Sequence, residues 1–285
     1  MKVLVTGKGG QLASEFEMLK GTDASWVFLS EKDLNITDNK AVQGFFTNKR
    51  FDYIINCAAY TAVDKAEDNI QLAYDVNEKG VLNLIEACKK MNTRIIHFST
   101  DYVFNGESSI PYLENDSADP KTVYGQSKLA GEKLLKRHKS VESVIIRTSW
   151  VYSQFGQNFV KTMLSLGKQK SELGIVADQI GSPTFAHDLA KATLKIFQNK
   201  NYQWKNGDVF HYSNEGRCSW CTLAKQIFDL ANLNVKVNSL STDQFPTRAV
   251  RPKFTLLNKT KFKETFNVEI DHWKDSLEKM LKSEL

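Results

Sequence analysis

Short apolar runs rich in β-branched residues recur along the first half of the chain: Lys2 to Thr6 (KVLVT), Trp26 to Leu29 (WVFL), Tyr53 to Asn56 (YIIN), Arg94 to Ser99 (RIIHFS) and Val144 to Arg147 (VIIR). Between them, Gln11 to Lys20, Asn39 to Lys49, Gln71 to Met91 and Tyr124 to Arg137 place apolar residues three and four apart, the period of an amphipathic helix. Strands apolar on both faces, alternating with helices, predict a parallel sheet covered on both sides: a doubly wound α/β fold of Rossmann type. After Trp150 the rhythm loosens. Helical patterns persist at Asn158 to Lys168, Ala186 to Gln198 and Thr222 to Leu233, with loops at Pro183, Pro246 and Pro252. The chain therefore divides into a Rossmann domain over residues 1–150 and a smaller, interleaved C-terminal lobe over 151–285, some of whose segments return to the first core. No repeat, low-complexity tract or Gly/Ser/Pro-rich linker separates the two.

A length of 285 residues with 41% hydrophobic and 25% charged positions is enough to bury a sizeable core without crosslinks. The formal charge of +5 is spread along the chain without a basic block. It suits an anionic small molecule and speaks against nucleic acid as a partner. The apolar run at the N-terminus is about five residues long, too short for a signal-peptide core or a membrane span, so a cytoplasmic protein with no membrane partner is expected. Cys57 and Cys88 fall in apolar patterns and read as reduced, buried thiols. Cys218 and Cys221 form a lone CxxC without further ligands at a zinc spacing, and read as structural.

Directly after the first strand comes Thr6-Gly7-Lys8-Gly9-Gly10-Gln11-Leu12-Ala13, opening an amphipathic helix. Gly7 permits a tight turn, Gly10 lets the backbone approach a pyrophosphate, and Ala13 lets the helix pack closely on the strand, with phosphates at the helix N-terminus. A glycine turn alone is weak, but its place in the first strand–turn–helix makes a dinucleotide the expected cofactor. The choice between NAD and NADP falls at the end of the second strand, Leu29-Ser30-Glu31-Lys32. Ser30 stands where an acid would select NADH, and Lys32 is near enough to pair with a 2′-phosphate, which favours NADPH; Glu31 keeps NADH open.

The segment Tyr124-Gly125-Gln126-Ser127-Lys128 puts a phenol and an ammonium on one helix face. A nearby cation favours phenolate and would bring the Tyr124 hydroxyl toward the range useful for proton transfer. Upstream, the fourth strand ends in Phe98-Ser99-Thr100-Asp101, which places hydroxyls where open α/β sheets bind ligands, with Thr100 positioned to polarise a carbonyl. The alternative for the pair is a surface Tyr and a solvated Lys at helical spacing.

Five strings go beyond these general features: NCAAYTAVDKAE (Asn56 to Glu67), STDYVFNG (Ser99 to Gly106), YGQSKLAGE (Tyr124 to Glu132), RTSWVY (Arg147 to Tyr152) and DQIGSPT (Asp178 to Thr184). Together with the turn, they make the chain, from Lys2 to about Arg251, resemble the dTDP-4-dehydrorhamnose reductase family of extended short-chain dehydrogenases/reductases. The resemblance implies NAD(P)H-dependent reduction of the C4 keto group of dTDP-4-dehydro-L-rhamnose to dTDP-L-rhamnose, a precursor of cell-surface polysaccharide. It implies Thr100, Tyr124 and Lys128 as catalytic residues, and Thr100, Asp101 and Trp150 as contacts for the sugar nucleotide. It also implies Gly10, Gln11, Leu12, Ser30, Asn35, Ile36, Ala59, Tyr60, Thr61 and Phe98 as cofactor contacts, beside Gly7, Tyr124 and Lys128. The indole of Trp150 would supply a flat apolar wall with one donor, or else simply fill the core. Asp64, Lys65 and Glu67 read equally as an exposed charged turn or a ligand site, and Arg251 as a diphosphate partner or a solvent-facing arginine. Some members of that family form homodimers around magnesium. Glu15 and Glu284 match the acidic positions, but His187 stands where a third carboxylate is expected, and because magnesium takes oxygen ligands no metal site is predicted. The alternatives are another nucleotide-sugar 4-ketoreductase or epimerase, and a non-catalytic regulatory subunit with the same fold. A dehydratase fits less well, since Asp101 follows Thr100 where an Asp-Glu pair would be wanted.

Overall fold

Alternation along the central strands accounts for the layering. Val3 and Val5 point to one face of the sheet, Leu4 to the other, and Ile54/Ile55, Ile95/Ile96 and Ile145/Ile146 split the same way between two buried clusters. The computed structural model describes residues 1–284, with side chains through Lys282. The first half runs β1 (Lys2–Thr6), α1 (Gln11–Leu19), β2 (Ser25–Leu29), α2 (Asn39–Phe46), β3 (Tyr53–Asn56), α3 (Val63–Ala66), α4 (Ile70–Tyr74), a π-helical turn (Asp75–Lys79), α5 (Gly80–Met91), β4 (Arg94–Thr100), α6 (Val123–Arg137) and β5 (Ser143–Thr148). The second half holds β6 (Val151–Tyr152), α7 (Phe159–Gly167), β7 (Glu172–Val176), β8 (Ile180–Gly181), β9 (Thr184–Phe185), α8 (Ala186–Gln198), β10 (Asp208–His211), β11 (Cys218–Ser219), α9 (Trp220–Leu230), β12 (Lys236–Leu240), α10 (Thr260–Phe266) and α11 (Trp273–Glu284).

Six strands form one sheet in the order β10-β5-β4-β3-β1-β2, every neighbouring pair parallel. α1, α8 and α10 cover one face through Phe16, Leu189 and Phe262; α2, α5 and α6 cover the other through Val42, Leu84 and Leu135. Fully burying each such side chain contributes about 1.5–3 kcal/mol. Strand order reverses between β1 and β3, which opens a crevice at their carboxyl ends, where ligands of doubly wound sheets bind. β10, from the second half, completes the sheet beside β5. The remaining small strands pair among themselves, and α7, α9 and α11 enclose a separate apolar cluster around Tyr152, Phe228 and Trp273. No helix among the described residues is long and apolar enough to cross a membrane.

The helix expected over Gln71 to Met91 is interrupted by the π turn, and its neighbours explain why. A Cβ on Gly80 would lie 2.7 Å from Ile36 Cδ1, and one on Gly131 of α6 would lie 2.3 Å from the Asn77 carbonyl oxygen. The widened turn lets α6 come this close and points the buried Asn77 inward, a use of the π bulge common at functional sites. α5 then ends on Asn92 in the left-handed conformation, with Lys89 and Lys90 in its last turn.

Candidate active site

The β1–α1 turn is shaped by close approach. Gly7 has φ 77°, and a Cβ there would sit 2.8 Å from Ala58 N and Cys57 C at the end of β3. Gly10 donates its N–H to the Gly7 carbonyl at 3.0 Å and caps α1 with no side chain, leaving the helix N-terminus open toward the crevice. Gly9 also lies in the left-handed region (φ 88°), with open space around it; the motif spacing points only to its neighbours. The turn therefore fits a dinucleotide pyrophosphate. Gly7→Ala is expected to destabilise the protein by about 1–3 kcal/mol and to weaken NADPH binding at least tenfold, whereas Gly9→Ala costs only about 1 kcal/mol. Thermal unfolding and a fluorescence titration of NADPH check both.

The crevice has a volume of about 740 Å³ and is lined from the first half by Gly7, Gly10, Gln11, Leu12, Asn35, Ile36, Ala59, Tyr60, Thr61, Phe98, Thr100, Asp101, Tyr124 and Lys128. Trp150, Trp220 and Arg251 line it from the second half. Ser30 and Lys32 are not among its lining residues, although Glu31 and Lys8 are. Ser30 is occupied locally: its Oγ donates to Asp33 Oδ2 at 2.6 Å and its N–H to the same oxygen at 2.9 Å, which holds the Asp33 carboxyl below its usual range.

Thr122 caps α6 by accepting from the Gly125 N–H at 3.0 Å, and a Cβ on Gly125 would come within 2.2 Å of the Tyr102 carbonyl. That contact seats the first turn of α6 against the end of β4 and brings Tyr124 beside Thr100. Burial raises the phenol of Tyr124, with the Thr100 hydroxyl acting the other way. The downward pull anticipated from Lys128 does not prevail: the Lys128 Nζ donates to the Phe98 carbonyl at 2.6 Å and lies 3.3 Å from His97 Nε2. Burial lowers Lys128 to about 8. Thr100 Oγ1 donates to Asp101 Oδ1 at 3.0 Å, and burial raises the Asp101 carboxyl to about 6. Asn77 clamps the neighbouring loop, accepting from the Tyr60 N–H at 2.9 Å and donating to the Tyr60 carbonyl and to Ser127 Oγ, each at 3.0 Å.

On the opposite wall Trp150 has φ 47°, a strained conformation for a bulky residue. Its ring stacks on Trp220 at 3.6 Å between centroids and 11° between planes, with Gly181 beneath. It is thus a wall of the crevice as well as a packing element. Arg251 is half-buried and engaged: it donates to Asp64 and, at 3.0 Å, to the Tyr102 hydroxyl, while the Ala249 N–H donates to Asp64 Oδ1 at 3.1 Å. Glu67 accepts from the Val123 N–H at 3.0 Å at the start of α6. Both acids of the charged turn thus serve to join segments.

The whole chain, residues 1–285, matches the model of the RmlD substrate binding domain. The chain belongs to the RmlD family, that of the dTDP-4-dehydrorhamnose reductases. It is 40% identical to the spore coat polysaccharide biosynthesis protein SpsK of Bacillus subtilis, over 98% of this chain and 96% of that one. Among solved structures, a dTDP-4-dehydrorhamnose reductase of Clostridium acetobutylicum is similar with a TM-score of 0.93 and 41% identity, covering 99% of each chain. One from Bacillus anthracis, solved in complex with NADP, has a TM-score of 0.93 and 37% identity, again over 99% of each chain.

In this RmlD chain, the residues that the sequence did not single out are Trp220, Asn77 and His97. Trp220 sits inside the CxxC that drew attention for its sulfurs. Those thiols are buried and form no disulfide, and burial pushes Cys218 up to about 12. At the matching magnesium positions, Glu15 is fully buried, accepting from Ser153 Oγ at 2.6 Å and pairing with His187 Nδ1 at 3.0 Å. The Glu284 side chain lies outside the described residues.

Proposed function

We propose that this chain reduces the C4 keto group of dTDP-4-dehydro-L-rhamnose to give dTDP-L-rhamnose, with NADPH as the reductant. The observation that carries this reading is the convergence of Thr100, Tyr124 and Lys128 with the open glycine turn in one crevice at the switch point of the sheet. The name shared by its relatives, and the NADP in one of them, support the substrate and the cofactor. On this reading residues 1–150, completed by β10, hold the dinucleotide, and residues 151–285 mainly shape the sugar-nucleotide side. Gly7, Gly10, Gln11 and Leu12 would hold the pyrophosphate, and Asn35, Ile36, Ala59, Tyr60, Thr61 and Phe98 the remaining groups.

A bound reduced nicotinamide supplies hydride to the ketone carbon. The chain supplies the rest. The Thr100 hydroxyl hydrogen-bonds the ketone oxygen as negative charge grows on it, and the Tyr124 hydroxyl gives its proton to that oxygen, completing the alcohol. A phenol raised by burial is a phenol that carries its proton at neutral pH, as reduction requires. The tyrosinate left behind is stabilised by the Lys128 cation until solvent restores its proton. Trp150, stacked on Trp220, would wall the sugar, with Asp101 lining the same crevice.

Purified protein mixed with dTDP-4-dehydro-L-rhamnose and NADPH is expected to consume the reductant and yield dTDP-L-rhamnose, read by loss of NADPH absorbance and by chromatography of the product. Cofactor binding without consumption would overturn the reductase reading.

A further inference from the structure

β1 and β3 each carry an apolar run to a polar residue at the carboxyl end, Thr6 and Asn56, and β4 carries a polar residue, His97, at its middle position. The parallel register sets Thr6 opposite Asn56 and Asn56 opposite His97. The three side chains thus form a row across the sheet, and they are 2%, 1% and 0% exposed. Polar groups buried this deeply are costly unless hydrogen-bonded, and these three bond to one another. The Ala58 N–H donates to Thr6 Oγ1 at 3.3 Å, Thr6 Oγ1 donates to Asn56 Oδ1 at 2.7 Å, and Asn56 Nδ2 donates to His97 Nδ1 at 3.0 Å. The row ends at His97 Nε2, 3.3 Å from Lys128 Nζ.

The direction of these bonds constrains the lysine. With Nδ1 accepting from the amide, a neutral imidazole carries its proton on Nε2. That N–H faces Nζ, which can receive it only through a lone pair, so this arrangement belongs to a neutral amine. An ammonium has no lone pair and needs Nε2 as an acceptor. The imidazole proton must then sit on Nδ1, and the Asn56 amide must turn over to present Oδ1 to it. Thr6 tolerates either orientation, because a hydroxyl can donate to Oδ1 or accept from Nδ2. The two states differ by one proton, released to solvent when the amine becomes neutral. The imidazole stays uncharged in both, since burial and the Lys128 cation hold it well below its usual range.

We propose that Thr6, Asn56 and His97 form a two-state row whose direction is coupled to the charge of Lys128, with His97 acting as a positioning residue through its tautomer. The inference rests on Lys128 being the lysine that supports Tyr124. Besides His97, Lys128 is faced by Cys57 from the end of β3 and by Glu132 from its own helix; Cys57 is kept protonated by burial and Glu132 is bound to Arg147. Lys128 is in turn the charged group that bears on His97. With Lys128 lowered to about 8, both charge states are accessible near neutral pH, and the row lets the lysine change charge without water entering the site.

The test is ¹⁵N spectroscopy of histidine-labelled protein, without cofactor or sugar, from about pH 6 to about pH 10, the span over which histidine and lysine ordinarily titrate. The His97 signal is assigned by its loss in His97→Gln. The protonated nitrogen is expected to be Nδ1 at low pH and Nε2 at high pH, exchanging with a midpoint of about 8, while the imidazole never becomes cationic. A single tautomer throughout, or a cationic imidazole, would overturn the proposal. Asn56→Asp provides a second arm, because its carboxylate only accepts and so holds the proton on Nδ1. In that variant the tautomer is expected to stay fixed and the alkaline limb of kcat to move up by about one pH unit or more. An unmoved limb with a fixed tautomer would also overturn it. The spectra need no turnover, so failure of the rhamnose assignment would leave that arm decisive on its own.

Discussion

Tyr124→Phe is expected to lower kcat for dTDP-4-dehydro-L-rhamnose by about 10²–10⁴ while leaving the KM values within a few-fold, the pattern for removal of a group that acts only in the transition state. The prediction is sharp because the substitution removes one hydroxyl from a closely packed position. The Tyr124 ring lies edge-on to Tyr102, 5.6 Å between centroids, and that contact survives in phenylalanine. Stability should therefore barely change, and the cofactor titration should match wild type. Thr100→Val removes the hydroxyl beside the same oxygen, yet it also frees the Tyr102 N–H that Thr100 Oγ1 accepts at 3.2 Å, so a thermal shift should accompany its loss of activity. Steady-state kinetics with thermal unfolding of both variants separates the two. A Tyr124→Phe enzyme with unchanged kcat would remove the phenol from the chemistry.

The parts of this site that sequence reveals are those whose partners are close along the chain. The glycine turn joins adjacent elements, and the Tyr124–Lys128 pair lies one helical turn apart, so periodicity alone places them. The Arg251–Asp64 link spans 187 residues, and no local pattern distinguishes a latch from a surface charge. Thr6, Asn56 and His97 show the same limit differently. Thr6 and Asn56 stand visibly as polar residues ending apolar strands and His97 as one inside an apolar strand, but the row exists only once strand order and register are known, because β3 pairs with both β1 and β4. The place of Ser30 after β2 suggests a cofactor contact, while its partner Asp33, three residues on, decides what its hydroxyl does. The π turn escaped because apolar spacing through Gln71 to Met91 remains helical, and only the close approach of Gly131 to Asn77 shows why the helix is widened there.

Glu132→Ala is expected to be the most destabilising of these substitutions, by about 3–5 kcal/mol, because it would leave a buried guanidinium without its counter-charge. Arg147 Nε donates to Glu132 Oε1 at 2.9 Å and Nη2 to Oε2 at 2.7 Å, a two-pronged pair whose side chains are 2% and 0% exposed. The same guanidinium lies 5.1 Å from the centre of the Phe104 ring, so it cannot swing out to water without opening the core behind α6. Replacing both partners by leucine should cost less than Glu132→Ala alone, since no charge is then left behind. Burial alone would raise the Glu132 carboxyl, but Arg147 outweighs it and the carboxyl is held below its usual value. The pair therefore stabilises the fold at pH values above the unfolded carboxylate range and loses that contribution as pH falls through the lowered folded value. Urea midpoints measured from neutral pH downward should fall for wild type as this group protonates, and should fall less steeply for the double-leucine variant. An equal slope in the two would mean that other carboxylates carry the acid sensitivity. Glu132 also raises Lys128 one turn away, so the double-leucine enzyme, if it folds, should lose the lysine's charge at lower pH and show an alkaline limb of kcat shifted downward. The ion pair behind α6 then sets both the stability of that helix and the pH range over which the lysine in front of it stays charged.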